Sequence, residues 1–462
     1  MYTLYMSTDL LDHQTVSLLK KDKNILEHTR FPIVTVSATF REDLKQFYGM
    51  VHDPLMRDVV FSRAHFSMAF GVAVHAWMSL GADRDCPLSE KITSPCDTNI
   101  AWLVDPTNYV RSEDWSKIQS TEYIGRKLAR NAFLKWVKDQ VDTFVRNRLP
   151  ITSAITPPLL YLFENVDRPI ISFHYETGNI LGGTGKRVVQ VVTDPHVRDQ
   201  YLTLSHLPNM KFCVMDEKTK EDFIEKVEMM GKRVDPDRII VTGPPVDPRI
   251  IAARKKKNPF LLKKRPLRLC ITTGGLGTNK DEIHEILHLL FDLLKQEHPP
   301  IQLLCYGGTN HDFTLMVQNI AQEKGIEIGE LENENAGFRL IHGKHIVGIN
   351  EQLIAYAFPW ADGLITKPSG DMAYDAVAAG CFLLLLAPWG DWERNIQEVL
   401  EQRGVARRAN VTHIKEQLAI LSSPILHHHD SWFAKAQQNA LDLPPLFLNG
   451  AKNILNVAKN WK

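Results

Sequence analysis

From Leu267 onward, short aliphatic runs alternate with stretches whose apolar positions recur at helical spacing. That alternation is the pattern of parallel strands joined by crossover helices. LRLCITT (Leu267 to Thr273) runs into a Gly-rich turn and then DEIHEILHLLFDLLKQ, in which Ile283, Ile286, Leu287, Leu290 and Leu294 share a face. IQLLCY (Ile301 to Tyr306) with HDFTLMVQNIAQEK, GLIT (Gly363 to Thr366) with DMAYDAVAAG, and FLLLLAP (Phe382 to Pro388) with WERNIQEVLEQ give three more such units. A continuous apolar run such as FLLLLA belongs to a strand buried on both faces.

The first half alternates less regularly. Its candidate strands are Ile33 to Phe40, Asp58 to Ser62, Asn99 to Val104, Pro169 to Tyr175, Arg187 to Asp194, Lys211 to Met215 and Arg238 to Gly243. Its clearest helices are His65 to Met78, Lys127 to Arg148 and Glu217 to Met230. Both halves therefore read as open α/β sheets. The expected division is an N-terminal domain over 1–246, a basic linker over 247–266, a C-terminal domain over 267–440 and a closing amphipathic helix within 441–462 that crosses back onto the first domain.

Length agrees with this division: 462 residues exceed one core, at roughly 100 to 200 residues per domain. A hydrophobic fraction of 44% with 23% charged residues is that of a globular chain. Lys and Arg (54) balance Asp and Glu (54), so no overall field draws the chain to nucleic acid. Phe66 to Ala82 is the most apolar long stretch; it is too short to span a bilayer and reads as a buried helix. The N-terminal residues carry no secretory pattern, and a cytoplasmic protein is expected. The six cysteines follow no metal-ligand spacing, and Cys213, Cys270, Cys305 and Cys381 sit in apolar runs as small hydrophobes. Neither a cofactor nor a metal is expected. The linker, DPRIIAARKKKNPFLLKKRP, sets Phe260 to Leu262 between two basic clusters and suits either solvent or an anionic membrane surface.

Three polar loops follow strands of the second half. In CITTGGLGTNK, the residues Gly274, Gly275, Gly277 and Thr278 form a turn through which a diphosphate could reach backbone N–H groups at a helix start. In LITKPSGDMAYDA, Lys367, Ser369 and Gly370 could face a phosphate and Asp375 a ribose diol; equally, Asp371 could cap a helix and Asp375 lie in solvent. In PWGDWERN, Asp391, Glu393 and Asn395 are suited to sugar hydroxyls. Open α/β sheets bind ligands where such loops converge.

TTGGLGT, GFRLIHGKHIVGINEQLIAYAFPWADGLITKPSGDMAYDAVAAG and PWGDWERNIQEVLEQRGVA together resemble the donor domain of glycosyltransferase family 28, which includes monogalactosyldiacylglycerol synthase and the peptidoglycan N-acetylglucosaminyltransferase. VVQVVTDPHVRDQYL and DRIIVTGPPVDPRI extend the resemblance upstream, over about Pro169 to Val405. It implies a GT-B fold, two Rossmann-like domains facing across a cleft, and transfer of a hexose-type sugar, with inversion, from a UDP-sugar to an acceptor hydroxyl of a lipid or glycan. Carried over, Gly274, Gly275 and Gly277 are the phosphate loop; Lys367, Ser369 and Gly370 the phosphate-side turn; Asp375 the ribose carboxylate; Asp391, Glu393 and Asn395 the sugar readers. The family's Gly-His turn after the first strand has no counterpart here. His65 is the nearest substitute for the catalytic base and Asp194 the next, with His174 and His196 on the acceptor side. A Gly-rich stretch, Gly178 to Gly185, reads as an acceptor-side or surface loop. A nucleotide-sugar 2-epimerase and a non-catalytic sugar-nucleotide binder are the rival expectations. Oligomeric state stays open.

Overall fold

The structure is a computed structural model and describes residues 13–80, 97–110, 114–116, 150–274, 277–424 and 430–461. Its contacts divide into two compact units, Met1–Asp247 with Asn449–Lys462, and Pro248–Leu448.

The first unit is built on six parallel strands, β1 (Phe31–Val34), β2 (Ala101–Val104), β3 (Ile170–Ser172), β4 (Val188–Val191), β5 (Met210–Val214) and β6 (Ile239–Val241), in the order β2-β1-β3-β4-β5-β6. Strand order reverses between β1 and β3. Strands β1 to β4 are buried along their whole length, their mainly apolar residues interrupted only by Pro32, Ser172 and Gln190. The helix Arg63–Leu80 packs on β1 and β2, and Gly450–Asn460 returns from the far end of the chain to lie on that helix and on β4. Asp22 of the helix His13–His28 is buried and accepts hydrogen bonds from Tyr48, Tyr109 and, at 2.9 Å, the Trp102 indole; burial pushes its carboxyl up to about 6.

Three expectations for this unit change. The first strand stops at Val34, because beyond it the amides of Ser37 and Ala38 turn to the Asp105 carboxylate, 2.6 and 3.0 Å away, instead of a neighbouring strand. Asp58 to Ser62 is no strand: among the described residues it makes one isolated bridge, Val60 to Ala38. The Gly-rich stretch is no loop, since Tyr175–Gly183 is a helix. Its glycines serve close packing: a Cβ at Gly178 would stand 1.7 Å from Gln190 Oε1, and one at Gly182 would stand 2.8 Å from Met210 Sδ. The expected helix Lys127 to Arg148, Cys86 and Cys96 lie outside the described residues.

The second unit carries β7 (Leu267–Thr272), β8 (Ile301–Gly308), β9 (Phe338–His342), β10 (Gly363–Thr366), β11 (Phe382–Leu385) and β12 (Ala406–Arg408). The order β12-β11-β10-β7-β8-β9 is all parallel and reverses between β7 and β10, the arrangement of dinucleotide-binding sheets. Helix Lys280–Leu294 buries Ile283, Ile286, Leu287, Leu290 and Phe291 against this sheet. His311–Lys324 ends on Gly325, whose φ of 64° is the left-handed cap that glycine adopts without strain. Cys213 in the first unit and Cys270, Cys305 and Cys381 in the second are buried free thiols.

The basic segment after Asp247 is ordered as the short helices Pro248–Ala252, Ala253–Lys256 and Pro259–Lys263. Arg254 donates to the carbonyls of Ala378 (3.1 Å) and Ala440 (3.0 Å), Lys257 to Phe358 (2.5 Å), and Arg265 grips Asp362 with two bonds of 2.7 Å. Among the described residues, no helix is long and apolar enough to cross a membrane.

Candidate functional site

At the carboxyl edge of the second sheet, the two strands that flank the order reversal touch through their last residues: Thr272 Oγ1 and Thr366 Oγ1 are 2.7 Å apart. After β7 the chain turns so tightly that Gly277 N–H donates to Gly274 carbonyl at 2.8 Å, with Gly277 at φ 66°. Asn279 also sits in the left-handed region, at φ 62°, a conformation asparagine tolerates better than other side chains. Its Nδ2 holds the turn by donating to Ala387 carbonyl (3.0 Å), beyond β11, and to Glu282 (2.5 Å). The helix Lys280–Leu294 therefore begins at this edge with no side chain capping it. Thr278 Oγ1 and Asn279 Oδ1 are buried there without a hydrogen-bond partner among the described residues, a costly state unless a ligand or water completes it. Gly275 lies outside the described residues.

Lys367 crosses this turn from the end of β10. A Cβ on Gly274 would stand 2.6 Å from Lys367 Cε and 3.2 Å from Thr278 Oγ1, so the glycine makes room for the lysine stem. The ammonium is paired with Glu393, which is 1% exposed and also accepts the Trp389 amide at 2.6 Å. Gly274, Gly277, Thr278, Lys367 and Glu393 are thus brought together.

The other expected donor residues are placed differently. Ser369 Oγ accepts the Met372 amide at 3.2 Å and so caps the helix Met372–Ala378, a role that Asp371 does not take. The Ser369 amide donates to Lys367 carbonyl at 2.8 Å. Gly370 and Asp375 are buried, Asn395 is half-buried, and Asp391 points to solvent beside Arg394.

The first unit gathers imidazoles at the carboxyl ends of β1, β3 and β4. His65, in the first turn of Arg63–Leu80, has Nδ1 at 3.4 Å from Val36 carbonyl and Nε2 at 3.0 Å from Thr193 Oγ1. Thr193 Oγ1 is in turn 3.2 Å from the Tyr201 hydroxyl. A carbonyl only accepts, so Nδ1 carries the proton and the Nε2 lone pair receives the Thr193 hydroxyl. His174 stands with its ring centroid 5.2 Å from that of His65, edge to face. Asp194 is paired with Arg198 at 3.2 Å, and burial, with Lys226 nearby, holds the His196 imidazole below its ordinary range. Thr193 and Tyr201 both lie within the stretch VVQVVTDPHVRDQYL, yet neither was among the expected site residues.

Neither a protein-family model nor a curated protein matches the chain. Solved structures do. S. aureus MnaA in a co-structure with UDP is similar over 93% of this chain and 96% of its own, with 12% identity and a TM-score of 0.50. UDP-GlcNAc 2-epimerase from Neisseria meningitidis, bound to UDP-GlcNAc, is 12% identical with a TM-score of 0.49 over 93% of this chain and 100% of its own. An E. coli trehalose-6-phosphate structure with UDP-2-fluoro glucose is 13% identical, with a TM-score of 0.48 over 93% and 99%. At such identities a likeness speaks to the fold alone. That fold is GT-B: two Rossmann-like units, with the last helix returned to the first.

Proposed function

We propose that the protein is a glycosyltransferase that takes a hexose-type sugar from a UDP-sugar and passes it, with inversion, to an acceptor hydroxyl, in the manner of family 28. One observation carries this reading. At the order reversal of the second sheet, a glycine turn, an uncapped helix start, two orphaned buried oxygens and the Lys367 ammonium share one edge. Amides at a helix start and a cation suit a diphosphate and stabilise it as it departs, without a metal. In the first unit, His65 is the base that takes the acceptor proton at Nε2, once the Thr193 hydroxyl that this lone pair receives turns to its other neighbour, the Tyr201 hydroxyl. Asp194 is the weaker choice because its carboxylate is engaged by Arg198.

A ligand at about 100 times its Kd adds about 2.7 kcal/mol of stability. UDP should therefore raise the thermal midpoint at millimolar concentration. The absence of a shift with UDP-, GDP- and dTDP-sugars alike would overturn the reading. With UDP-glucose or UDP-N-acetylglucosamine alone, slow UDP release is the expected product; conversion to the C2 epimer would instead make the protein an isomerase.

The acceptor we propose is a lipid hydroxyl, met at the cytoplasmic face of an anionic membrane. Phe260 is 75% and Leu261 40% exposed, and Lys255, Lys256 and Lys264 surround them in solvent. Each such cation near an anionic surface contributes about 1 kcal/mol. The protein should sediment with vesicles rich in phosphatidylserine and not with phosphatidylcholine vesicles, and Phe260→Glu with Lys256→Glu should abolish this. Equal recovery with both vesicle types, or none with either, would remove the membrane from the proposal.

A further inference from the structure

His174 lies two residues beyond the end of β3 and caps the helix Tyr175–Gly183. Its Nδ1 accepts the Glu176 amide at 3.2 Å, the only direction that bond can take, since a backbone N–H donates. A nitrogen that accepts a hydrogen bond carries no proton, so the proton of the neutral ring sits on Nε2. A half-turn of the ring would put Cδ2 in place of Nδ1 and uncap the helix, and the stack on Tyr175, whose ring centroid is 4.3 Å away, holds the ring plane. The backbone is equally fixed: the His174 carbonyl accepts from the hydroxyls of Ser172 and Thr177, both at 2.9 Å, and from the Gly178 amide at 3.1 Å. Nε2 has no hydrogen-bond partner among the described residues.

We infer that His174 is a fixed N–H donor, held in the Nε2–H tautomer by its capping bond, which binds an oxygen atom of the acceptor-side ligand and never removes a proton. It is the complement of His65, whose protonated nitrogen is Nδ1 and whose lone pair is on Nε2. Two imidazoles side by side at the β1–β3 reversal thus divide the work, one offering a lone pair and the other a hydrogen. Becoming cationic would require His174 to give up the cap. Burial, the neighbouring His65 and the Arg198 guanidinium all hold it well below the ordinary imidazole range. Of the other groups packed around it, Tyr175 and Thr177 are uncharged, and the Glu176 carboxyl, the one that could favour a cationic ring, is itself pushed toward its neutral form by burial. The ligand class is an oxygen acceptor, a hydroxyl or carbonyl, and the inference rests on the proposed reading only for calling that ligand the sugar acceptor.

The tautomer can be read directly. In 15N-labelled full-length protein, long-range 1H–15N spectra, assigned by loss of signals in His174→Asn, should show a neutral His174 with protonated Nε2 throughout about pH 5 to 8. A cationic ring or an Nδ1–H tautomer in that window would overturn the inference. Binding is tested by two capping variants: asparagine and aspartate both accept the Glu176 amide, but only asparagine retains a donor. UDP release from UDP-glucose, with water as acceptor, should stay within about tenfold of native in His174→Asn and fall about 100-fold in His174→Asp, at similar thermal stability. Equal rates in the two variants would sink the binding role. Should native protein release UDP from neither UDP-glucose nor UDP-N-acetylglucosamine, the glycosyltransferase reading fails and the tautomer alone decides this inference.

Discussion

Gly450→Ala is expected to unseat the last helix of the chain and to lower the stability of the first unit by about 3 kcal/mol or more. A Cβ at this position would stand 2.0 Å from Pro244 carbonyl oxygen, 2.4 Å from its carbon and 2.6 Å from Gly243 oxygen, all of them backbone atoms that no rotamer change can move. The helix that would have to retreat buries Ala451, Ile454, Leu455 and Ala458. It is tied by Asn453 Nδ2 to Thr242 carbonyl at 2.9 Å and by Trp461 carbonyl to Arg187 at 3.2 Å. It also lies on Arg63–Leu80, the helix that carries His65, so the loss should reach the imidazole cluster. Hydrogen exchange should show faster exchange over Gly450–Asn460 together with a lower unfolding midpoint. Gly348→Ala is the control: its Cβ would meet nothing within 4 Å in a helix, and it should be neutral or stabilising by about 0.5 kcal/mol. An unchanged midpoint in Gly450→Ala would show that the close approach constrains nothing.

That contact also marks how far the sequence can be read. The amphipathic period of the last residues marks the helix, and Gly450 gives no sign of what it touches, because close approach is a relation between distant segments. The four strands of the second unit that are rich in aliphatic residues were legible for the same reason that they are buried, with Arg268 and Gln302 near the start of β7 and β8 half-buried. β9 was not legible as a strand, since FRLIH carries Arg339, which is fully buried with its guanidinium over the Trp360 ring and bonded to Leu331 carbonyl at 2.6 Å. β12 is a three-residue edge strand, too short for periodicity. Asp58 to Ser62 had the composition of a strand, yet the chain around it folds on the buried Asp105 carboxylate. In the candidate site, glycines and strand ends pointed to the carboxyl edge of the sheet, while the contact each side chain makes is set by hydrogen bonding that the sequence does not record. Glu393 looked like a sugar reader by position and is a buried partner of Lys367; the tautomers of His65 and His174 come from a carbonyl and an amide that no motif records.

Glu393 and Lys367 give the sharpest test of the donor edge. The pair is nearly dry, with side chains 2% and 17% exposed, and the carboxylate also holds the Trp389 amide. Removing one member of a buried pair leaves the other charge uncompensated, at a cost of about 3 to 5 kcal/mol, whereas replacing both by neutral groups of similar shape costs much less. Lys367→Met and Glu393→Ala should each therefore unfold the second unit at markedly lower temperature, and Lys367→Met with Glu393→Gln should recover most of the loss. Ligand binding separates the partners in a way that stability does not. If the ammonium receives the diphosphate, Glu393→Gln, which keeps an acceptor for Trp389 and releases Lys367 from its carboxylate, should bind UDP as tightly as native protein or more tightly. The double variant, although stable, should lose about 10- to 100-fold in UDP affinity, the effect of one charge-assisted hydrogen bond. Calorimetric titration of UDP into the two proteins distinguishes these outcomes. Undiminished affinity in the double variant would make the Lys367–Glu393 pair a structural strut and would move the diphosphate elsewhere on the edge.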